Sequence, residues 1–414
     1  MKKTEIPGRV EAEGGGAART PVPMMDLKRQ YEPLRAELME ALGSVLDTQQ
    51  FILGEHVEAF ERAAAERLRV KHALGCSSGT DALWLALAGV GIGVGDLPQR
   101  RRPVAGGPGD SVVTTPFSFF ASVSAILRAG ATPVLADIDP VTFNLSAVAV
   151  EAVLDGERGK GVKAILPVHL YGLCADATAF SRLGRECGLA IIEDAAQAWG
   201  AEWQGVKAGG LGDVAAFSFY PTKNLSAAGD AGMVTTNRDD VAERVKMLRN
   251  QGMRRRYHHD ALGWNARMDG FQGAVLSVKL KYIGAWNEKR CELAARYGRM
   301  FARVGLAEDG PYPAHGVVTP REVAGAKHAW HQYVIRVARR DELREFLTAR
   351  EIGSEIFYPV PLHRQEALKG LGYGEGDFPE AERAAREVLA LPIFPELHED
   401  EQNAVVKAIA EFLS

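Results

Sequence analysis

Short runs of β-forming residues alternate with helical patterns along much of the 414-residue chain, and this alternation is the strongest constraint on its fold. The predicted strands are 111–114, 132–136, 164–168, 189–192 and 214–217. Strands joined by helices predict a mostly parallel sheet that is covered on both faces. In such a sheet, ligands bind outside the carboxyl ends of the strands. His169, Tyr171, Asp194 and Ser218 fall at these ends, so we expect a site there.

Lys223 and Asp194 are the residues that best indicate a chemistry. Lys223 follows by 29 residues the acidic end of the run Leu189–Asp194. A lysine amine can hold pyridoxal phosphate (PLP) as a Schiff base and shuttle a proton, while a carboxylate keeps the pyridine nitrogen of PLP protonated. Taken singly, a strand-end aspartate is often a helix cap and a loop lysine is often a solvated charge. The two together predict PLP chemistry.

The segment Gly75–Asp81 predicts a phosphate-binding turn. It consists mainly of small residues and leads directly into the apolar helical pattern Ala82–Leu87. Free N–H groups and the positive end of the helix dipole favour an anion at such a helix start. An ordinary cap formed by Thr80 or Asp81 is the alternative interpretation. Ser218 adds a hydroxyl five residues before Lys223.

Four motifs follow one another along the chain: Gly79-Thr80, Glu193–Gln197, Ser218–Asn224 and Trp264–Met268. Their order and spacing resemble the DegT/DnrJ/EryC1/StrS sugar aminotransferases, and the resemblance runs from about Met25 to the C-terminus. It implies an α/β fold of the PLP-dependent transferase fold type I, with a mostly parallel central sheet in the large domain and a smaller C-terminal α+β domain. It also implies a homodimer with shared active sites, which transfers an amino group from L-glutamate to a keto nucleotide sugar through pyridoxamine phosphate (PMP).

The resemblance assigns a role to each matched residue. Lys223 is expected to be the catalytic Schiff-base lysine, and Asp194 the partner of the pyridine nitrogen. Gln197 is expected at the phenolic oxygen or ring face, and Phe119 stacked on the ring. Gly79, Thr80 and Ser218 are expected to bind the phosphate, which Asn265 reaches from the neighbouring subunit. Phe119 could also be a core aromatic, and Asn265 part of a polar loop.

Five further residues are candidates for substrate contacts, each with simple packing as the alternative: Tyr171, Arg267, His331, Tyr358 and His363. The segment Tyr358–His363 contains two prolines and cannot form a regular helix. The basic cluster Arg254–Arg256 precedes the Asn265 motif and could meet the diphosphate of the substrate, because guanidinium groups bind phosphate well.

Composition narrows the class of protein. The formal net charge of −4 provides no general attraction toward nucleic acid. Four cysteines without metal-type or paired spacing fit a reducing cytoplasm, and no metal site is expected. The absence of an apolar run of about 18 residues predicts that no segment spans a membrane.

The chain is predicted to divide into three parts. Residues 1–24 are expected to be a disordered tail, residues 25–285 the large PLP-binding domain, and residues 286–414 the small domain. Residues 25–50 are expected to pack on the small domain, which is predicted to contain a strand at 330–337 and a helix at 341–350. Residues 97–110 depart from the family pattern and are read as an exposed inserted loop, because Pro, Gly and Arg in that mixture do not build a core.

The resulting hypothesis is an aminotransferase acting on a 3-keto dTDP- or UDP-linked hexose, in amino-sugar biosynthesis for a surface polysaccharide or a glycosylated metabolite. Amination at C4 remains the first alternative, because members acting there share most of the motifs. The others are a sugar dehydratase, in which histidine replaces the lysine, and a PLP-binding regulator without turnover. Lys223 argues against the dehydratase.

Overall fold

The computed structural model describes residues 21–93 and 109–414. Most of the predicted tail and of the predicted insertion therefore lies outside the described residues. The helices are α1 (Leu27–Thr48), α2 (Glu55–Leu68), α3 (Gly79–Gly89), α4 (Ala121–Arg128), α5 (Ala147–Asp155), α6 (Ala177–Cys187), α7 (Asp239–Leu248), α8 (Gly270–Leu280), α9 (Ile283–Arg303), α10 (Arg340–Thr348), α11 (Pro379–Glu387) and α12 (Glu399–Leu413). The strands are β1 (His72–Cys76), β2 (Ser111–Thr114), β3 (Thr132–Leu135), β4 (Val162–Ile165), β5 (Ala190–Asp194), β6 (Glu202–Trp203), β7 (Val206–Lys207), β8 (Val214–Ser218), β9 (Gly232–Thr236), β10 (Met253–Arg255), β11 (His258–His259), β12 (Ala326–Lys327), β13 (Tyr333–Arg336) and β14 (Val388–Leu391).

A central sheet in the order β1-β9-β8-β5-β4-β2-β3 organises the large domain. The pairs from β8 through β3 are parallel, and only β9 runs antiparallel to its two neighbours, β1 and β8. All four residues of β2, Ser-Val-Val-Thr, are buried, because helices cover both faces of a parallel sheet. The predicted mostly parallel α/β sheet is confirmed.

Helix α3 lies inside the domain and carries the start of the candidate phosphate site. Its residues Ala82–Gly89 are all buried, as expected for a helix that is apolar on every side. It packs on β8 and is contacted by α4 and α7. Ser78 caps the helix, since its Oγ accepts a hydrogen bond from the Asp81 N–H at 3.1 Å.

The strand predictions differ from the structure in register and in number. The run predicted at 164–168 forms β4 at Val162–Ile165, because Pro167 has no N–H to continue the ladder. Strands β1 and β9 were not predicted. His-Ala-Leu-Gly-Cys in β1 has weak intrinsic strand preference, and it is held as a strand by pairing with β9.

The C-terminal part contains the antiparallel pair β13 and β14, with α12 packed on α9 and α10. The predicted boundary at residue 285 falls inside α9, so a continuous helix crosses it. Arg336 links the two parts, because its buried guanidinium donates to Glu387 Oε2 at 2.9 Å and to the carbonyl of Pro140 at 2.9 Å. The division into two domains stays a prediction.

The N-terminal helix α1 contacts both parts of the chain. Most of α1 packs on α8, with Leu34 and Leu38 buried beside Val275 and Val278. Near its start, Arg29 forms two hydrogen bonds of 2.8 and 2.7 Å to the carboxylate of Glu401 in α12.

The lengths of the helices and the distribution of His, Cys, Asp and Glu side chains bear on membrane and metal chemistry. None of the helices in residues 21–93 and 109–414 has the length and apolar character needed to cross a bilayer. The same residues contain no group of three or more His, Cys, Asp or Glu side chains that could hold a metal ion.

Candidate active site

Lys223 and Asp194 follow neighbouring strands of the central sheet. Asp194 ends β5 and is in register with Ala216 of β8, and Lys223 lies in the turn after β8. Burial lowers the pKa of Lys223 to about 8, and the negative charge of Asp194 opposes that shift. A lysine whose pKa is this close to neutral can both accept and give a proton in that range.

The carboxylate of Asp194 is buried and held from two sides. Ser122 Oγ donates to Oδ2 at 2.7 Å, and the Ala196 N–H donates to Oδ1 at 3.2 Å. Burial raises the pKa of Asp194, while the hydrogen bond from Ser122, then that from Ala196 and the charge of Lys223, act in the opposite direction. The structure therefore contains a fixed buried carboxylate, as a protonated ring nitrogen needs.

Gly79 and Ser218 form one wall of the candidate phosphate site. Gly79 begins α3, and a Cβ placed on it would lie 2.5 Å from Ser218 Cβ, which is too close for two non-bonded carbon atoms. Glycine is thus required for the helix start to come this close to the end of β8. With the hydroxyls of Thr80 and Ser218, the N–H groups of the first turn provide donors suited to a phosphate.

Substitution of Gly79 by alanine is expected to weaken the apparent affinity for PLP by about tenfold or more, because the methyl group separates α3 from Ser218. The matched control is Gly43→Ala in α1, where an added Cβ meets no atom within 4 Å. That control is expected to raise the free energy of unfolding by about 0.5–1 kcal/mol, as alanine does in a helix interior. Titration of the apoenzyme with PLP and a thermal melt provide the measurements. Unchanged PLP affinity in Gly79→Ala would contradict the assignment.

Gln197 connects the candidate ring site to two tyrosines. Its Oε1 accepts a hydrogen bond from the Tyr171 N–H at 2.7 Å, and its Nε2 donates to Tyr358 Oη at 3.1 Å. The Tyr171 hydroxyl donates to the carbonyl of Phe357. One Nε2 hydrogen of Gln197 is left for another acceptor, whereas the Tyr171 hydroxyl is already engaged.

Phe119 stands exposed beside this group. Its side chain is 59% accessible, and its ring centroid lies 6.3 Å from that of Tyr358. An aromatic this exposed is not a core residue, so the packing interpretation is wrong for Phe119. Its availability for stacking fits the predicted role.

His331 is brought next to Lys223 through Asn224. His331 Nδ1 and Asn224 Oδ1 are 3.2 Å apart, and Asn224 Nδ2 donates to Asn287 Oδ1 at 3.0 Å and to the carbonyl of Ala329 at 2.7 Å. Burial holds the pKa of His331 well below its usual range, and the charge of Lys223 adds to that effect. A neutral imidazole that donates from Nδ1 keeps Nε2 as an acceptor.

Asn265 and Arg267 lie at the surface beside the end of β1. Asn265 is exposed and accepts a hydrogen bond from Arg267 Nε at 3.0 Å. Arg267 pairs through its backbone with Cys76, three residues before Gly79. This position places both residues near the phosphate turn, with Asn265 exposed at the surface.

His363 and His169 have structural surroundings. His363 Nε2 is 2.9 Å from Glu382 Oε1, and its ring packs edge-on against Phe378. His169 lies between the Ala175 N–H, which donates to Nδ1 at 3.1 Å, and the Glu193 carboxylate, 3.0 Å from Nε2. Both ring nitrogens of His169 therefore have partners within the protein, and His363 contacts Glu382 of α11 and the preceding Phe378.

Sequence reasoning missed three residues that contact the site: Ser118, Ser122 and Asn224. Ser118 and Ser122 flank Phe119 in the segment 115–122. Two hydroxyls placed four residues apart around a candidate ring-stacking residue could have indicated that both lie near the cofactor.

The fold and the site built around Lys223 and Asp194 together define a PLP-dependent transferase of fold type I. The chain matches the DegT/DnrJ/EryC1/StrS aminotransferase family model over residues 33–410, and it belongs to that family.

Individual relatives cover nearly the whole chain. A "pleiotropic regulatory protein" of Geobacillus stearothermophilus is 46% identical, over 94% of this chain and 98% of the relative. The dTDP-3-amino-3,4,6-trideoxy-alpha-D-glucose transaminase of Streptomyces venezuelae is 41% identical, over 95% and 97% respectively. The crystal structure of S. venezuelae DesV in complex with a ketimine intermediate superposes with a TM-score of 0.86 at 41% identity, covering 95% of this chain and 99% of DesV.

The family is PLP-dependent, and the residues of this chain fit the cofactor. The fit to the phosphate is seen at Gly79, where only a glycine allows the start of α3 to approach Ser218 this closely. A buried lysine after β8 and a buried carboxylate at the end of β5 complete the set of groups that PLP requires. Lys223, Asp194 and the Gly79–Thr80 turn would hold the aldehyde, the ring nitrogen and the phosphate.

Proposed function

We propose that the protein transfers an amino group from L-glutamate to a 3-keto nucleotide-linked hexose. The arrangement of Lys223 and Asp194 at adjacent strand ends is the observation that carries the reaction type. The name of the S. venezuelae relative supports the substrate class and position 3.

Three site residues have a defined task in this proposal. When bound, PLP supplies an electron sink for the removal of a proton from a carbon next to nitrogen. Lys223 accepts that proton from the α-carbon of the amino donor and gives one back in the half-reaction with the sugar ketone. Asp194 holds the proton on the ring nitrogen, and Phe119 covers one face of the ring.

A homodimer with shared sites belongs to the proposal. Large apolar side chains next to the site residues in sequence stay exposed in the single chain, as expected for surfaces that a second subunit covers. They are Phe120, Tyr220 and Trp264. Asn265 would then reach the phosphate of the partner site. The exposed arginines 254–256 lie on the nearby β10–β11 hairpin, where they would bind the diphosphate of the nucleotide sugar.

A cytoplasmic location also belongs to the proposal. Cys76, Cys174, Cys187 and Cys291 are all free thiols. Unpaired thiols persist where the compartment is reducing.

The test is the absorption spectrum of the PLP-loaded protein before and after addition of L-glutamate without sugar. We expect loss of the band of the lysine-bound cofactor, growth of the PMP band and release of one equivalent of 2-oxoglutarate per site. D-Glutamate is the matched control and should change nothing. An unchanged spectrum with L-glutamate would exclude this donor.

The PMP-loaded protein is then mixed separately with 3-keto and 4-keto dTDP- and UDP-hexoses. Return of the original band with the 3-keto sugars only, and an amino group at C3 in the product, would support the proposal. Return with 4-keto sugars only would replace it by C4 amination. No return with any sugar, together with no response to amino donors, would favour a regulator, the class named for the G. stearothermophilus relative.

A further inference from the structure

Two buried serines form a hydrogen-bonded chain that ends on Asp194. Ser118 Oγ and Ser122 Oγ are 2.8 Å apart, and Ser122 Oγ is 2.7 Å from Asp194 Oδ2. The side chain of Ser122 is fully buried, and that of Ser118 is 3% exposed. Ser122 lies in the first turn of α4, on a different element from β5, so the contact fixes the carboxylate relative to a second part of the fold.

The direction of the chain follows from what each group can donate. Both oxygens of Asp194 accept hydrogen bonds, Oδ2 from Ser122 and Oδ1 from the Ala196 N–H. An ionised carboxylate only accepts hydrogen bonds, so the Ser122 hydroxyl donates its one hydrogen to Asp194. The Ser122 oxygen must then accept from Ser118. Donors arranged in one direction polarise one another and favour the charged form at the end of the chain.

The other groups around Asp194 do not replace this chain. The charge of Lys223 also favours the ionised carboxylate, whereas the ring of His169 is hydrogen-bonded to Glu193 and to the Ala175 N–H. Lys223 is not a permanent partner of Asp194, because its amine is bound covalently when it holds the aldehyde. Ser122 is therefore the side-chain donor that remains hydrogen-bonded to the Asp194 carboxylate whether or not Lys223 holds the aldehyde.

We propose that Ser122, supported by Ser118, is a positioning residue that keeps Asp194 ionised and oriented toward the ring nitrogen of the cofactor. The inference rests on the assignment of Asp194 as the partner of that nitrogen. A carboxylate has acceptor capacity beyond the two bonds already made, so the ring N–H can be bound as well.

The test compares the affinity of the apoenzyme for PLP and for 1-deaza-PLP, in which C–H replaces the ring nitrogen. Ser122→Ala should weaken PLP binding by about tenfold, the size expected for one hydrogen bond to a charged group, and change the affinity for 1-deaza-PLP less than about twofold. Ser118→Ala should have the same sign with a smaller effect, about two- to threefold. Ser122→Thr keeps the hydroxyl and should retain most of the affinity for PLP.

The controls separate this inference from its premise. Ser124→Ala removes a half-buried hydroxyl of the same helix that, within residues 21–93 and 109–414, bonds only to the Ala121 carbonyl, and should leave both affinities unchanged. Equal losses for PLP and 1-deaza-PLP in Ser122→Ala would show a packing role and overturn the inference. If Asp194→Asn also fails to distinguish the two ligands, the assignment of Asp194 is itself wrong. Should Ser122→Ala not fold, Ser118→Ala carries the test, and its failure to distinguish the ligands would overturn the inference.

Discussion

Lys223→Ala should lower the turnover of the PLP-loaded protein by about 10³-fold or more, because the same amine accepts and returns the proton in both half-reactions. The visible band of the lysine-bound cofactor should be absent from this variant even with PLP added. Lys223→Arg should behave similarly, since a guanidinium keeps the charge but neither forms the imine nor gives up its proton at neutral pH. Steady-state rates and absorption spectra provide both readouts.

The chain contains a matched control for this prediction. Lys279 in α8 is also largely buried, and burial lowers its pKa to about 8, with Nζ 2.9 Å from Ser226 Oγ. Lys279→Ala removes a similar amine, whose partner Ser226 lies three residues after Lys223 in the chain. This variant should keep turnover within about threefold of the wild type, since the amine contributes one hydrogen bond to a serine. Equal losses in the two variants would mean that the effect reports stability, and Lys223 would lose its assignment.

Asp194→Asn should lower turnover by about 10²- to 10³-fold. The amide is nearly isosteric with the carboxylate, but it carries no negative charge to hold a proton on the ring nitrogen in a buried site, so the electron sink is lost. The effect should appear in kcat, while the affinity for the amino donor changes little. Measurement of kcat and KM separately distinguishes these outcomes.

Asp213→Asn is the control for the second substitution. Asp213 immediately precedes β8, at the opposite end of that strand from Lys223, where Oδ2 accepts from the Ile191 N–H at 2.9 Å and Oδ1 lies 3.4 Å from Arg238. The same chemical change at that end of the sheet should leave kcat within about twofold. If Asp194→Asn keeps wild-type kcat, the carboxylate does not act on the ring nitrogen.

Much of the fold was predictable because its signals are local. The runs that became β2, β3, β5 and β8 contain consecutive β-branched or apolar residues, and helices separate most of them, which is sufficient to predict a parallel sheet. The antiparallel strand β9 and its partner β1 were missed because their stability comes from pairing with distant strands and not from their own composition.

The sequence by itself determined the family and the sheet class and predicted Lys223 and Asp194 as site residues, because motifs and periodicity are local features of neighbouring residues. Only the tertiary structure decided what surrounds those two side chains. Ser122 and Asp194 are 72 residues apart in the chain, and Asn224 and His331 are 107 apart. Such contacts depend on how β5, β8 and α4 pack, and no local pattern encodes that distance. The same holds for Gly79. A side chain is excluded at this position because α3 approaches Ser218 in the folded protein, which the local sequence does not show.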